Sequence, residues 1–260
     1  MSFVGLLEVL KNEEINEEVF ALTLEANEDC TIKPGQFYNF KAGDTAYPLL
    51  RRPISVALVE EGKIVFYIQK KGIGTHLLST LKSGESVDVI GPLGNGFDFE
   101  GVKKPLVVGG GIGVAPMMDT VRALKELGHE DVKVLLGYRE MPYGIDVFKQ
   151  FTSDVEIASE HAEGYTKGYV TTLVEKALTE GDYDGVFVCG PHVMLKAVSE
   201  ICKDKKVRSY LLMEEKMACG IGACLVCTCK IQKEDESDFK NLRTCKEGPV
   251  FLGEEVLFDE

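Results

Sequence analysis

Four cysteines near the end of the chain have a spacing that suits iron-sulfur chemistry. Cys219, Cys224 and Cys227 follow the pattern C-x4-C-x2-C, and Cys245 supplies a distant fourth thiolate. This arrangement is typical of a plant-type [2Fe-2S] site. Small residues within the motif allow a tight loop, because glycine reaches positive φ cheaply and leaves room for backbone N–H groups to approach the sulfurs. The pattern therefore predicts a binuclear cluster held by these four cysteines.

Three alternatives remain open for these cysteines, one of which is that they are buried free thiols without a metal. Cys229 could replace Cys227 as the third ligand, although alternation along a strand does not by itself aim its side chain at the cluster. A structural zinc ion is the third alternative, but such sites usually contain two C-x2-C pairs and the second pair is missing here. The zinc hypothesis would make the chain an interaction module on an inactive nucleotide-binding fold.

Two short motifs in the first hundred residues contain groups that can hold a phosphate. In residues 51–55, the rigid Pro53 stands between a guanidinium group and a hydroxyl group. In residues 71–75, a glycine turn leads into an apolar helix predicted at 76–81, so that free N–H groups and the Thr75 hydroxyl would face an anion. Each motif alone is common in solvated turns and helix entries. Together they favour a pyrophosphate.

Three glycine-containing segments follow predicted strands in the middle of the chain. The apolar strand at residues 105–108 leads into the glycine run 109–116, and Gly137 and the segment 189–191 follow two later strands. Ligands of parallel α/β sheets bind beyond the carboxyl ends of the strands, where all three segments would lie. The run departs from G-x-G-x-x-G because Val114 occupies the last position. The nucleotide site is therefore predicted from the three segments together.

The elements that would position these motifs fall into three groups. Alternating apolar residues at 19–25, 35–40, 54–59, 63–69 and 86–90 predict the strands of a small antiparallel β-barrel. Strands and helices then alternate up to residue 202, which predicts a doubly wound parallel α/β sheet. We expect three domains, a β-barrel at 1–101, a nucleotide-binding α/β domain at 102–210 and a small C-terminal [2Fe-2S] domain at 211–260.

The composition of the chain argues against nucleic acids and membranes as binding partners. The net charge of −13 over 260 residues argues against nucleic acid, whose phosphates need clustered Lys and Arg. The apolar stretch 105–118 is broken by glycines and too short to cross a bilayer, and the start of the chain lacks the features of a signal peptide. Cysteines outside the cluster motif are scattered, which indicates a reducing compartment. We expect a soluble cytoplasmic protein with no membrane partner.

The order of these motifs over nearly the whole chain resembles the ferredoxin reductase superfamily. With the C-terminal cysteine module, the chain is similar to one branch, the electron-transfer subunits of two-component, NAD-dependent dihydroorotate dehydrogenases of pyrimidine biosynthesis. The resemblance implies that FAD is bound by Arg52, Pro53, Ile54, Ser55, Ile68, Gln69, Lys70, Gly74 and Thr75. It implies that NAD(H) is received by Gly109, Gly110, Gly111, Ile112, Gly113, Pro116, Gly137, Cys189, Gly190 and Pro191.

The resemblance also implies a partner. The chain would dock on a separate FMN-containing subunit that oxidises dihydroorotate to orotate, in a heterotetramer with two copies of each subunit. Many ferredoxin reductases have an aromatic residue where Ile54 stands and end in an aromatic that covers the flavin, whereas this chain continues into the cysteine module. A related small flavin and iron-sulfur subunit of a bifurcating transhydrogenase or hydrogenase is the alternative within the same superfamily.

The expected chemistry is an electron relay. Nicotinamide transfers two electrons as a hydride, an iron-sulfur cluster accepts one at a time, and a flavin does both, so the cofactors carry the bond chemistry while the protein positions them. We assign no general acid, base or nucleophile, because the four histidines are dispersed. The choice between NADH and NADPH is open, since Glu140 could accept the ribose hydroxyl and Arg139 could hold a 2′-phosphate.

Overall fold

A computed structural model describes residues 2–27, 30–43, 47–130, 132–233 and 238–258. Its first part is a curled antiparallel sheet in the order β4-β3-β7-β1-β2-β6-β5, and β4 comes back into contact with β6. This confirms the predicted antiparallel barrel in a half-closed form. The elements are β1 (Phe3–Glu14), β2 (Val19–Glu25), β3 (Phe37–Phe40), β4 (Arg52–Ser55), β5 (Leu58–Glu60), β6 (Lys63–Gln69), α1 (Ile73–Ser79) and β7 (Ser86–Leu93).

The barrel core forms because alternate strand residues point inward. Leu22, Leu24, Ile64 and Phe66 are fully buried in it, and the rings of Phe40 and Phe66 meet edge to face at 4.9 Å. Edge-to-face packing is a favoured arrangement of aromatic pairs. The packed interior fixes β3, β4 and the start of α1, and β4 and α1 carry parts of the first two predicted motifs.

The middle of the chain is the predicted α/β unit. Its strands lie in the order β11-β10-β9-β8-β12-β13-β16, parallel except for the C-terminal strand β16 (Val250–Leu252), with α4 and α5 on one face and α2 on the other. The doubly wound sheet is therefore confirmed. The elements are β8 (Pro105–Gly110), a 3-10 turn (Gly111–Gly113), α2 (Val114–Glu126), β9 (Lys133–Tyr138), α3 (Ile145–Phe148), β10 (Val155–Ser159), β11 (Thr166–Lys167), α4 (Val170–Glu180), β12 (Gly185–Cys189), α5 (His192–Lys205) and β13 (Arg208–Leu212).

The C-terminal segment is interwoven with the other two parts. It forms a small antiparallel sheet from β14 (Thr228–Gln232), β15 (Phe239–Arg243) and β17 (Val256–Leu257), while β16 (Val250–Leu252) pairs with β13 of the α/β sheet. Asn95, beyond the last barrel strand, donates from its side chain to the Glu247 carbonyl at 2.9 Å and from its backbone to Gly248 O at 2.7 Å. These bonds hold the cysteine-bearing segment against the barrel.

A buried carboxylate joins the barrel to the α/β unit. Asp119 on α2 is fully buried, and its Oδ1 accepts from Val59 N at 2.9 Å and from Arg122 Nε at 2.7 Å. Its own N–H donates to Ala57 O at 2.9 Å. The single strand predicted at 54–59 is wrong, because the chain breaks at residues 56–57 into β4 and β5, and that break provides the carbonyl that α2 uses.

The sequence patterns missed β1 altogether. Its residues include Gly5, Glu8 and four charged or polar positions at its end, so that the apolar alternation is weak. The strand is nevertheless paired on both sides, with β2 and β7. Among the described residues, none of the helices is long and apolar enough to cross a membrane.

Candidate functional site

The cysteine loop turns its backbone amides toward its first sulfur. Gly220 and Gly222 have φ of +72° and +84°, and Ala223 N and Cys224 N donate to Cys219 Sγ at 3.3 and 3.4 Å. Burial opposes ionisation of Cys219, but these bonds and one from Ile221 N outweigh it and lower the pKa of this thiol to about 6. The loop is therefore shaped to stabilise a thiolate at Cys219.

Two of the remaining motif cysteines are buried beneath the loop, whereas Cys224 is exposed. Cys227 and Cys245 are buried together in a small apolar cluster with Phe37 of β3 and Leu93 of β7. Burial and a hydrogen bond with Cys227 raise the pKa of Cys245 to about 12. A hydrogen bond also joins Cys224 to Cys219. The fold thus brings the four motif cysteines into one region, against the barrel.

Cys229 belongs to a different environment. It lies within β14, packs in the core under α5 with Ile231, and its thiol donates to Leu242 O at 3.7 Å. Burial raises its pKa to about 12. Cys227 precedes the strand, so strand alternation does not relate the two side chains. This placement favours Cys227 over Cys229 as the third ligand.

The donor set suits an iron-sulfur cluster. Four thiols with backbone N–H groups directed at sulfur are what a [2Fe-2S] centre requires. Among the described residues, no three His, Cys, Asp or Glu side chains are gathered closely enough to hold one metal ion. The fit therefore rests on the convergence of the two cysteine pairs and on the amide donors.

An arginine braces the far end of the loop. Arg243 Nη1 donates to Gly222 O at 2.6 Å, and its Nε and backbone N–H each donate to Glu247 Oε2 at 2.9 Å. The motif spacing gave no sign of this residue, because it acts on the loop through a backbone carbonyl. It fixes the turn at Gly222 relative to the strand that precedes Cys245.

The two predicted phosphate motifs meet at one end of the barrel. Gly74 in the first turn of α1 is buried, and a Cβ added there would lie 2.5 Å from Arg52 Cζ. The guanidinium of Arg52 therefore rests on the glycine turn, and its Nη1 donates to Leu50 O. The first N–H groups of a helix have no partner within the helix. Guanidinium and amide donors are thus concentrated together, as a pyrophosphate requires.

The Thr75 hydroxyl is arranged differently from the prediction. It accepts hydrogen bonds from Lys71 N at 2.9 Å and Gly72 N at 3.1 Å, and it donates to Gly72 O at 3.0 Å. These bonds close the turn instead of leaving the hydroxyl free to face an anion. Thr75 thereby shapes the turn whose amides precede α1.

The predicted residues at the end of β6 turn their side chains to the barrel. Ile68 is buried in its core, Gln69 donates to Glu18 at 3.1 Å, and Lys70 bonds to Glu14 at 2.8 Å. Since β5 pairs with β6 only as far as residue 65, the backbone edge of 68–70 lies beyond that pairing. A contribution of these residues to a cofactor would come from the backbone.

Arg51, the first of the two arginines in the motif at residues 51–55, has a structural role. Arg51 Nη2 donates to Asp88 Oδ1 at 2.8 Å, and its Nη1 donates to Asp88 O and Asn39 O at 3.1 and 3.3 Å. It ties β3 to β7. Pro53 and Ser55 lie on the next strand, directly opposite Asn39 and Phe37, while Ile54 packs against the barrel core.

The predicted nucleotide residues all lie at the carboxyl edge of the parallel sheet. Gly109 and Gly110 end β8, Ile112 lies in the 3-10 turn, Pro116 is in the first turn of α2 and Gly137 is near the end of β9. Close packing explains the glycines. A Cβ on Gly113 would lie 2.6 Å from Gly190 N and 2.7 Å from Cys189 O, and one on Gly137 would lie 2.9 Å from Val170 Cβ. Pro191 then caps α5.

A tyrosine that the sequence did not indicate joins this edge to the barrel. Tyr143 donates to Gly111 O at 3.1 Å and stacks on Tyr67 of β6 with ring centroids 6.3 Å apart. Its backbone carbonyl accepts from Tyr138, and burial raises its pKa. Tyr143 lies in a loop without periodicity, so no pattern could have revealed this contact.

The charged residues considered for nucleotide specificity are exposed. Glu140 Oε1 lies 3.9 Å from both Arg139 Nε and His161 Nε2. His76 and His192 are occupied by carbonyl contacts, to Gly72 O at 2.9 Å and Glu214 O at 2.8 Å.

Comparisons with known proteins agree with the site. A family model described as the iron-sulfur cluster binding domain of dihydroorotate dehydrogenase B matches residues 214–257. The chain is 38% identical over 253 residues to the dihydroorotate dehydrogenase B (NAD(+)) electron transfer subunit of Clostridium acetobutylicum, covering 97% of this chain and 96% of the relative. The corresponding subunit of Clostridium perfringens is 39% identical, with 96% of each chain covered.

Solved structures extend the similarity. An NADH-dependent reduced ferredoxin-NADP oxidoreductase, described in the context of flavin-based electron bifurcation, is 30% identical with a TM-score of 0.83, covering 98% of this chain and 91% of that one. A ferredoxin reductase in carbazole 1,9a-dioxygenase is 22% identical with a TM-score of 0.67, covering 79% and 67%. The second similarity concerns the fold alone.

Proposed function

The chain belongs to the family of dihydroorotate dehydrogenase B (NAD(+)) electron transfer subunits, and from this premise we propose that it carries electrons between NAD(H), FAD and a [2Fe-2S] cluster. It delivers them to, or takes them from, an FMN-containing catalytic subunit that oxidises dihydroorotate to orotate. The observation that carries the proposal is the packing of Cys227 and Cys245 against β3, the strand that pairs with the flavin motif on β4.

The barrel supplies the proposed FAD site. Arg52 and the amides around Gly74 bind the pyrophosphate, while Pro53 and Ser55 line the side that faces the cysteine module. The support is the contact of Arg52 with Gly74 and the register of β3 with β4. The other assigned flavin residues are Ile54, Ile68, Gln69, Lys70 and Thr75, of which the last closes the helix entry.

The sheet edge supplies the proposed NAD(H) site. A Cβ on Gly113 would lie within 2.7 Å of the backbone at Cys189 and Gly190, and the Met194 side chain lies against Gly110 and Gly190. The surface formed by these segments lies at the carboxyl ends of the strands, where nucleotides bind in such sheets. Tyr143 holds that surface against β6 of the barrel, so that nicotinamide and flavin sites share one boundary.

The division of labour follows from these positions. When bound, FAD exchanges a hydride with the nicotinamide and single electrons with the cluster, and Cys219, Cys224, Cys227 and Cys245 hold that cluster. The chain's own residues bind and orient the cofactors and exclude water from them. We assign none of them a proton-transfer role.

We further propose the three-unit division at 1–101, 102–210 and 211–260, a heterotetramer with two copies of each subunit, and a cytoplasmic location. None of the eight cysteines, all of which lie within the described residues, forms a disulfide bond, which is consistent with a reducing compartment. The division is supported by the three sheets, although β16 of the last unit pairs with the second.

The test is anaerobic purification with counts of flavin, iron and acid-labile sulfide. We expect one FAD and one two-iron cluster per chain, bleaching of the flavin by NADH, and orotate formation from dihydroorotate and NAD(+) when the FMN subunit is added. Colourless protein that contains zinc and no sulfide would contradict the proposal and support the zinc module.

A second candidate function rests on the structure of highest similarity described above. Since that structure is of an NADH-dependent reduced ferredoxin-NADP oxidoreductase described in the context of flavin-based electron bifurcation, the same modules could serve a bifurcating transhydrogenase or hydrogenase. Copurification with such a partner, and no orotate formation with the FMN subunit, would favour this alternative.

A further inference from the structure

Asn39 is a buried polar residue that neither the cysteine motif nor the flavin motif includes. It lies on β3, where Tyr38 and Phe40 point into the barrel core while Phe37 packs with the buried cysteines. Alternation places Asn39 on the same outward face as Phe37. Its side chain is therefore directed toward the C-terminal module from inside the barrel wall.

The Asn39 amide contacts the first part of the cysteine loop. Its Nδ2 lies 3.5 Å from Cys219 O. A Cβ added to Gly220, which has φ of +72°, would lie 2.5 Å from the same nitrogen. The loop backbone therefore rests directly on the amide, and the two surfaces fit only because residue 220 has no side chain.

The position of Asn39 is fixed from behind. Its backbone carbonyl accepts a hydrogen bond from Arg51, which also binds Asp88. Across the ladder it lies opposite Pro53 in the flavin motif. Pro53 is therefore connected to the backbone of the predicted cluster ligand Cys219 through the pairing of β3 with β4 and the side chain of Asn39.

The hydrogen bonding of Asn39 differs from that of a purely structural asparagine. Its side chain is fully buried, yet Oδ1 has no hydrogen-bond partner among the described residues. Buried polar groups in native proteins are nearly always paired, and an unpaired one calls for a specific explanation. Asn12 shows the ordinary case, because its amide donates to three carbonyls at the end of α1, at 2.8 to 3.2 Å.

We propose that Asn39 is a positioning residue that holds the backbone at Cys219 and Gly220 against β3, the strand that pairs with the flavin motif on β4. It thereby sets the rate of electron exchange between FAD and the cluster. The inference rests on the proposed function. It adds a residue outside both motifs that determines how the two cofactor sites are placed relative to each other.

The test compares Asn39→Leu with Asn12→Leu in the full chain. Leucine has a similar volume but cannot hydrogen-bond. The substitution loses one long contact, at 3.5 Å, but it also removes the unpaired buried Oδ1, whose burial is unfavourable, so we expect little net change in stability. In anaerobic stopped-flow and freeze-quench EPR, we expect Asn39→Leu to be reduced at its flavin by NADH within two-fold of the native rate. Its cluster should be reduced at least five-fold more slowly, with changed g values.

Two further measurements separate positioning from stability. We expect Asn39→Leu to keep its melting temperature but to show faster hydrogen exchange at residues 217–224 in the cofactor-free chain. Asn12→Leu should melt at a lower temperature, because three carbonyls lose their donor, and should reduce its cluster at the native rate. This exchange readout applies even to a variant that does not take up the cluster.

Native cluster reduction and native exchange in Asn39→Leu would overturn the inference, as would equal slowing in Asn12→Leu. A native chain whose cluster is not reduced by NADH would instead refute the proposed function. The exchange data would still decide whether Asn39 holds the loop.

Discussion

The guanidinium of Arg52 lies against the backbone of Gly74. The two residues are separated by β5 and β6, and contact is possible only because Gly74 lacks a Cβ, which would come within 2.5 Å of Arg52 Cζ. This contact brings the two predicted phosphate-binding motifs, at residues 51–55 and 71–75, together in one site at the start of α1.

Gly74→Ala should therefore weaken FAD binding without unfolding the chain. The added methyl group displaces Arg52, whose long side chain can rotate away, so the guanidinium no longer meets the first turn of α1. We expect at least ten-fold weaker binding, equivalent to about 1.4 kcal/mol, in a fluorescence titration of the deflavinated chain. Ser79→Ala, at the other end of the same helix, serves as the control, and equal FAD affinity in Gly74→Ala would contradict the assignment.

Separate substitutions of Cys227 and Cys229 distinguish the third cluster ligand. Because Cys227 packs with Cys245 and Cys229 packs in the core under α5, Cys227→Ser should lose iron and acid-labile sulfide. Cys229→Ala should retain both and lose only the stability that a small buried cavity costs, about 1 kcal/mol. Iron and sulfide analysis with visible spectra provides the measurement. The opposite pattern would assign the ligand to Cys229.

Arg243→Met should make the cluster easier to remove. The substitution deletes the donor to Gly222 O, so the turn between the first two motif cysteines is no longer held. We expect cluster loss to an iron chelator to be about five-fold faster, which corresponds to roughly 1 kcal/mol. Arg208→Met, at an exposed position on β13, should lose its cluster at the native rate. Equal rates of cluster loss in the two variants would show that Arg243 does not stabilise the loop.

Asp119→Ala should lower the free energy of unfolding substantially. It leaves Val59 N and the guanidinium of Arg122 without their shared acceptor. Because Arg122 keeps Glu126 as an ion-pair partner, we expect a loss of about 2 kcal/mol, as for a buried hydrogen-bond donor that loses its acceptor. Urea unfolding followed by circular dichroism measures the loss. Asp204→Ala on the exposed side of α5 is the control, and a loss no larger than in that control would show that α2 is held to the barrel by packing alone.

The carboxyl group of Asp119 should also make the stability of the fold depend on pH. Burial raises the pKa of Asp119 even though Arg122 opposes the shift, because the carboxyl is fully buried while the guanidinium is partly exposed. A raised carboxyl pKa means that the folded state binds the proton more tightly, so stability falls as pH rises from about 3.8 through the folded pKa. The native chain's advantage over Asp119→Asn should therefore be largest in acid and decrease toward pH 8. A constant difference between pH 4 and pH 8 would contradict the shift.

Much of the fold was predictable because its signals are local. The alternating patterns of β2 and β6 and the strand-helix order of residues 105–202 specified the two large sheets, and the cysteine spacing specified a cluster loop. The strand β1 was not predictable, since its charged residues mask an alternation that only pairing with β2 and β7 stabilises. The same holds for β16, whose place in the parallel sheet depends on β13.

By itself, the sequence determined the types of group available for binding: four thiols at cluster spacing, glycines where backbones must approach, and a guanidinium beside a rigid proline. The tertiary structure decided which of them meet. Asn39 and Cys219 are 180 residues apart, and Cys227 differs from Cys229 only in the core that each enters. Residue spacing encodes local geometry, whereas contacts between distant segments follow from how the sheets pack, and a short pattern contains no information about that packing.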